Sequence, residues 1–287
     1  MDDIKEKFDY EPFADTEEYK KVNGDIVDRW VELMRQKGVD SIDGVLDVAT
    51  GAGTMVQLVF DHLPESWKKA AVMCIDQSSD ALKLAQIKLE KTVDTLKLVH
   101  SSAQDMDIPD GSVDIAVWGN GIHYLSEEDQ LSSIKRIRQA LKPGGMLFFN
   151  TAFYEGARPT DTLPFYRTQV KKAVQSLRNK GIKRERSDDR TEAAKFLPQS
   201  YYEELVEEAG FRLVEAKEFA VEMHKEAWEY ISAFQQYAAG ALRGYPVNDA
   251  VTAMKDAVEP ALEQCGNRDN HGELYITRKW LAISAQV

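Results

Sequence analysis

The chain reads as a doubly wound α/β fold, with strands alternating with helices around a mostly parallel sheet. Three observations predict it. The apolar strand Val45-Leu46-Asp47-Val48 ends in a glycine turn, Ala49-Thr50-Gly51-Ala52-Gly53, that opens a helix. One strand–helix unit further on, Ala71-Val72-Met73-Cys74-Ile75 reads as a buried strand with Asp76 at its carboxyl end. The alternation then continues through strands at 96–100, 115–118 and 146–151.

Each element has a local reason. Gly51 and Gly53 permit positive φ and let main-chain groups approach a ligand closely. A dinucleotide turn would carry a third glycine where Val56 stands, and no phosphate-gripping loop ending in Gly-Lys-Ser/Thr is present, so a ligand without phosphates is expected. A carboxylate at the position of Asp76 can accept two hydrogen bonds from a ribose diol. Ser78-Ser79-Asp80 is a helix N-cap cluster, followed by Leu82, Ala85 and Leu89 on one helix face. The third strand leads into the segment 101–114, and the fourth into Gly119-Asn120-Gly121-Ile122-His123-Tyr124. An amphipathic helix with Leu131, Ile134, Ile137 and Leu141 inward precedes the turn Lys142-Pro143-Gly144-Gly145 and the fifth strand. Ahead of the first strand, Ile26, Val27, Trp30, Val31 and Met34 form a helical stripe, preceded by an aromatic, acidic segment with Tyr10, Phe13 and Tyr19.

Two segments lie beyond this alternation. Between Arg167 and Lys195 there are ten basic and four acidic residues, with a basic centre at Lys180, Lys183, Arg184 and Arg186. It reads either as a solvated charged loop or as an electropositive entrance for an anionic ligand. Residues 225–265 read as helices, with Trp228, Ile231, Phe234, Tyr237 and Leu242 on one stripe and Val251, Met254, Val258 and Leu262 on the next, separated by a turn at Gly244-Tyr245-Pro246. Strands at 211–221 and 273–285 flank them.

Taken in order, the turn at 46–53, Ile75-Asp76-Gln77-Ser78, the segment 102–114, Ile122-His123-Tyr124 and Leu141-Lys142-Pro143-Gly144-Gly145 resemble the class I S-adenosylmethionine-dependent methyltransferases, especially the small-molecule branch that includes the ubiquinone and menaquinone methyltransferases. The likeness is close over 44–151 and holds only in outline elsewhere. It implies a Rossmann-like seven-stranded sheet, mostly parallel with an antiparallel seventh strand, and helical cap insertions above the strand ends. It implies one compact domain with an N-terminal helical lid over 1–40, a cofactor-binding core over 41–152, a cap over 153–200, and C-terminal strands over 201–287 with a helical insertion at about 225–265. It implies S-adenosylmethionine as cofactor and S-adenosylhomocysteine as product. Asp47 and the backbone of Ala49, Gly51 and Gly53 would then hold the methionine end, Asp76 the ribose, and Gln77, Ala103 and Gln104 the adenine, with Gly119 and Asn120 beneath the methionine.

Two positions depart from the family's pattern. Ala49 replaces its first glycine, which is tolerable unless the backbone there needs positive φ, and Ser102 replaces the aspartate that accepts from adenine, so either Ser102 or Gln104 takes that bond. His123 and Tyr124 are the candidate catalytic residues, His123 either as a base toward a hydroxyl acceptor or as a pocket wall. The acceptor is expected to be a small organic molecule with an apolar or aromatic body, drawing on Phe153, Tyr154, Phe165, Tyr166, Trp228, Phe234 and Tyr237, with Arg158, Arg167 and Lys171 able to meet an acidic group.

Composition narrows the classes further. The 287 residues carry a net charge of −12, which argues against nucleic acid as a partner, and 43% hydrophobic residues suffice for a substantial core. Two cysteines, Cys74 and Cys265, fit a reducing compartment, and the five scattered histidines lack ligand spacing, so no metal is expected. The charged first residues and the lack of a long apolar run point to a cytoplasmic protein without integral membrane association. The competing readings are a nicotinamide-dependent oxidoreductase and a catalytically silent S-adenosylmethionine-binding module.

Overall fold

The computed structural model describes residues 11–185 and 192–287; Tyr10 and Arg186 lie outside them. Eight strands form one sheet: β1 (Gly44–Val48), β2 (Ala71–Asp76), β3 (Leu96–His100), β4 (Val113–Gly119), β5 (Leu141–Thr151), β6 (Arg212–His224), β7 (Asn267–Arg268) and β8 (Leu274–Gln286). The order is β3-β2-β1-β4-β5-β8-β6, with the two-residue β7 paired to β8. β1 to β5 are parallel, while β8 runs antiparallel to both β5 and β6. The seven strands expected from the sequence are therefore present, and β7 is an addition.

β5 begins five residues earlier than the turn at Lys142–Gly145 suggested, because Leu141 already pairs with Val113 and the extra residues are absorbed in an irregularity before Met146 pairs with Ile115. β6 extends to His224, pairing with Tyr275. Since β1 pairs with both β2 and β4, the chain reverses its direction of winding there, and the crevice outside their carboxyl ends is where such sheets bind ligands.

After a single helical turn at Glu11–Ala14, the helices are α1 (Glu17–Gln36), α2 (Thr54–His62), α3 (Ser79–Leu89), α4 (Glu127–Ala140), α5 (Leu163–Asn179), α6 (Gln199–Glu208), α7 (Lys225–Ala233), α8 (Gln235–Ala241), α9 (Val247–Asp256) and α10 (Val258–Cys265). Thr16 caps α1 and Ser78 caps α3, each accepting from a main-chain amide three residues on. The stripe of α1 is buried as expected, and Trp30 stacks on Phe148 of β5 at 5.3 Å between ring centroids. Alternate strand residues feed two cores, Phe148 on the α1 side and Phe149 on the other, while α5, α8 and α9 share a third built on Ala173, Leu177, Ala238 and Ala253. Among the described residues no helix is long and apolar enough to cross a membrane.

Candidate active site

The turn after β1 is built on left-handed backbone: Ala49, Gly51 and Gly53 have φ of 52°, 56° and 83°. Position 49 thus does require positive φ, and its alanine costs about 1–2 kcal/mol of strain. Ala49→Gly is expected to raise stability by up to about 1 kcal/mol, after the greater freedom of the unfolded glycine chain is subtracted. A denaturation midpoint that falls would mean the Ala49 methyl contributes more by packing than the backbone loses by strain. Gly53 is needed for close packing: a Cβ there would meet Leu89 at 3.0 Å and Ala85 at 3.3 Å.

Asp76, at the end of β2, closes onto this turn. One carboxylate oxygen accepts from the Gly51 amide at 2.8 Å and the other from the Ser78 amide at 2.8 Å. Both oxygens keep a lone pair for a ligand. Together they form one wall of a cavity of about 320 Å³ at the carboxyl ends of β1, β2 and β4. Ala49, Gly51, Asp76 and Gln77 line it from that wall; Ser102, Ala103 and Gln104 from the loop after β3; and Gly119, Asn120 and Tyr124 from beyond β4. Ala14 and Tyr19 contribute from the N-terminal segment, Phe234 and Gln236 from the inserted helices.

Asp47, Gly53 and His123 do not line this cavity. Asp47 is 1% exposed beneath the turn, and neither carboxylate oxygen has a hydrogen-bond partner. Burial pushes its carboxyl up to about 7. His123 is 3% exposed, joined through Nδ1 to the Thr151 hydroxyl at 2.9 Å and stacked on Phe153 at 4.3 Å. Burial, then the charge of Arg278, push its imidazole down to about 3. On the loop after β3 the Ser102 hydroxyl donates to Asp105 at 2.6 Å, while the Gln104 side-chain oxygen is buried without a partner.

Residues 45–145 match the family described as "Methyltransferase domain". Curated relatives include a demethylmenaquinone methyltransferase of Geobacillus kaustophilus, 28% identical over 46% of this chain and 53% of its own length. Another is a carboxy-S-adenosyl-L-methionine synthase of Trichodesmium erythraeum, 28% identical over 48% of this chain and 58% of its own. The chain thus spans a little over half the length of these relatives. Among solved structures, a Bacillus halodurans protein classed as a methyltransferase superposes with a TM-score of 0.55 at 18% identity, covering 89% of this chain and 96% of that one. Residues 45–145 are a class I S-adenosylmethionine-dependent methyltransferase domain.

Several features around this methyltransferase domain escaped the sequence. A buried amide network joins α1 to the sheet: Asn23 Oδ1 accepts from Asn150 at 2.8 Å and Asn120 at 3.3 Å, and Trp280 donates to Asn120 at 2.9 Å. It holds Asn120, whose φ is 51°, at the cavity floor. His224, Asp269 and Glu273 bring ligand atoms within 4.8 Å, although the two His224 ring nitrogens already pair with Glu18 and Asp269.

A second cavity, of about 290 Å³, adjoins the first, and Gln236 lines both. Phe153, Tyr166 and Tyr237 line the second and Phe234 the first, whereas Tyr154, Phe165 and Trp228 are at most 1% exposed and line neither. Of the expected cations only Arg158 lines the second cavity, Arg167 and Lys171 being on the exposed side of α5. Arg278, which nothing had singled out, lies behind it and donates to the Tyr166 hydroxyl at 3.2 Å. Its signal was alternation in β8, where Ile276, Arg278 and Trp280 share one buried face.

Proposed function

We propose that this chain transfers a methyl group from S-adenosylmethionine to a small, apolar or aromatic organic acceptor. The observation that carries the reading is the pair of adjoining cavities: one is walled by the glycine turn and Asp76, the other holds the rings of Phe153, Tyr166, Phe196 and Tyr237, and they meet at Gln236. One-step transfer needs two ligands brought end to end and little covalent help. When bound, S-adenosylmethionine supplies an electrophilic methyl group on a sulfonium; the carbon–sulfur bond breaks as the bond to the acceptor forms, leaving S-adenosylhomocysteine and, from an O–H or N–H acceptor, one proton released to solvent.

The residues present suit that cofactor. The paired lone pairs of Asp76 face a diol, the unpartnered Gln104 oxygen suits an adenine amino group, and Ser102, polarised by Asp105, offers a second acceptor there. The unpartnered carboxylate of Asp47 suits the ammonium of the methionine end through the turn. The main chain at Gly119 and Asn120 forms the floor, since a Cβ at Gly119 would come within 2.7 Å of Met55. Tyr124 and Phe234 line the first cavity with ring centroids 6.2 Å apart, and Tyr124 packs at 6.4 Å on Phe153, which lines the second. We read His123 as a wall for Tyr124 and Phe153: an imidazole held near 3 stays neutral and is a poor proton acceptor at neutral pH.

The direct test is mass spectrometry of the purified chain with S-adenosylmethionine and a panel of phenols, carboxylic acids, amines and quinols. S-adenosylhomocysteine forming in step with a methylated acceptor is the expected result. Cofactor binding without any turnover would favour a silent binding module, and tight binding of NAD alone would overturn the reading.

Asp47 gives the reading a pH signature. Its carboxyl is raised from 3.8 to about 7, so its contribution to stability is fully present below pH 4 and is lost as pH rises through 7. A cation bound nearby favours the ionised form, so cofactor binding runs the opposite way: affinity should fall about tenfold from pH 8 to pH 6, with proton release on binding below pH 7. Asp47→Asn should flatten that slope in a calorimetric titration. A slope that persists in the variant belongs to another group.

A further inference from the structure

We propose that the second cavity takes an acceptor bearing a carboxylate, whose anionic group is met by Arg158 and by the Tyr166 hydroxyl that Arg278 holds. The proposal rests on the reading of that cavity as the acceptor site.

The argument starts from unpaired charge. Arg278 is 2% exposed, yet its partners are neutral: the Ala152 carbonyl at 2.6 Å, the Tyr166 hydroxyl at 3.2 Å, and the rings of Phe153 and Trp228 at 5.3 and 5.9 Å. Arg158 is half-buried at the cavity with its guanidinium 3.9 Å from the Phe196 ring centroid and 5.5 Å from that of Tyr166. Neither has a carboxylate within 4.0 Å among the described residues. Two other part-buried arginines do have carboxylate partners, Arg29 with Glu215 at 2.6 Å and Arg136 with Asp110 at 2.9 Å. In a chain of net charge −12, a buried guanidinium beside a half-buried one, both without a counter-charge, is not a consequence of composition. Withdrawing a cation from water is costly unless an anion compensates, so a ligand that supplies one gains strongly on entering.

Two further features point to a ligand. Gln169 is fully buried at the same cavity; its amide nitrogen donates to Ser232 and to the Met254 carbonyl, but its side-chain oxygen has no partner. Phe196 has a φ of 50°, a strained conformation for a bulky residue, and its ring supports the Arg158 plane. One guanidinium in direct reach, a second behind a hydroxyl and aromatic walls fit a planar monoanion, which a guanidinium binds through paired hydrogen bonds, better than a phosphate dianion.

The test is calorimetric titration of the full chain, alone and loaded with S-adenosylhomocysteine. The probes are matched pairs: benzoate with benzamide, cinnamate with cinnamamide, 4-hydroxyphenylacetate with its amide, and phenyl phosphate as the alternative anion. At least one acid is expected to bind tenfold or more tightly than its amide. Arg158→Met should bring that pair within about twofold while leaving S-adenosylhomocysteine affinity unchanged, and Arg158→Lys should keep part of the preference. No acid exceeding its amide, a preference untouched in Arg158→Met, or phenyl phosphate outbinding every acid would each overturn the proposal. Failure to bind S-adenosylhomocysteine with the acid preference intact would instead overturn the methyltransferase reading and leave the anion site standing.

Discussion

Asp76→Ala is expected to weaken S-adenosylmethionine binding by about 2–4 kcal/mol, roughly 30- to 1000-fold in dissociation constant. The sequence alone suggests only the loss of hydrogen bonds between a charged carboxylate and a ribose diol. The structure adds a second effect, because the same carboxylate accepts from the Gly51 and Ser78 amides at 2.8 Å and so sets the position of the glycine turn against β2. Truncation removes the ligand contacts and frees the turn that carries the rest of the cavity wall. Asp76→Asn should lose less, since one amide oxygen can still accept from the turn. Titration of both variants with S-adenosylmethionine decides the matter: unchanged affinity in Asp76→Ala would remove the residue from the ligand's contacts. The melting transition should shift little, because both amides are near enough to water to be solvated when the carboxylate goes.

The largest stability loss is expected at Asn23, which looks unremarkable in sequence as a polar residue among the apolar positions of α1. It is fully buried. Its Oδ1 accepts from Asn150 and Asn120, and its Nδ2 donates to the Tyr19 carbonyl at 2.8 Å. Asn23→Ala leaves those donors without their acceptor in a site that water cannot easily enter, and adds a small void. We expect a loss of about 2–4 kcal/mol, seen as a lower urea midpoint at unchanged m-value. Asn23→Leu should not rescue it, because filling the volume does nothing for the amides of Asn120 and Asn150. A loss under about 1 kcal/mol would mean that the network is replaced by water at little cost. Asn120 also lines the first cavity, so, on the reading of that cavity as the cofactor site, a matching fall in cofactor affinity is expected even though Asn23 does not line it.

What the chain's sequence by itself determined are the features written in local spacing. Alternating apolar strands and helical stripes specify the βα units, because side-chain period follows backbone geometry within a few residues. A glycine turn directly after a strand, with an acid at the end of the next strand, specifies one wall of a ligand site in a doubly wound sheet. That is why Gly51, Asp76 and the loop at 102–104, which line one cavity, are legible in the sequence, and why the antiparallel hairpin of β6 and β8 follows from a family likeness in the turns.

Only the tertiary structure decided which side chains meet across strands that are far apart in the chain. Ala49 could be recognised as an exception, but its φ of 52° is visible only in the folded turn. The sequence reads His123 as a pocket wall or a base, and only its place in the fold, buried against Phe153, bears on which. Arg278 and Tyr166 are 112 residues apart, and Asn23 and Asn150 are 127 apart. No spacing rule links such pairs, since each depends on strand register and cap docking, which sum many weak contacts along the whole sheet. Arg167 and Lys171, next in sequence to residues that line the second cavity, face away because the amphipathic turn of α5 puts them on its outer face, while an arginine in the last strand comes to lie behind that cavity.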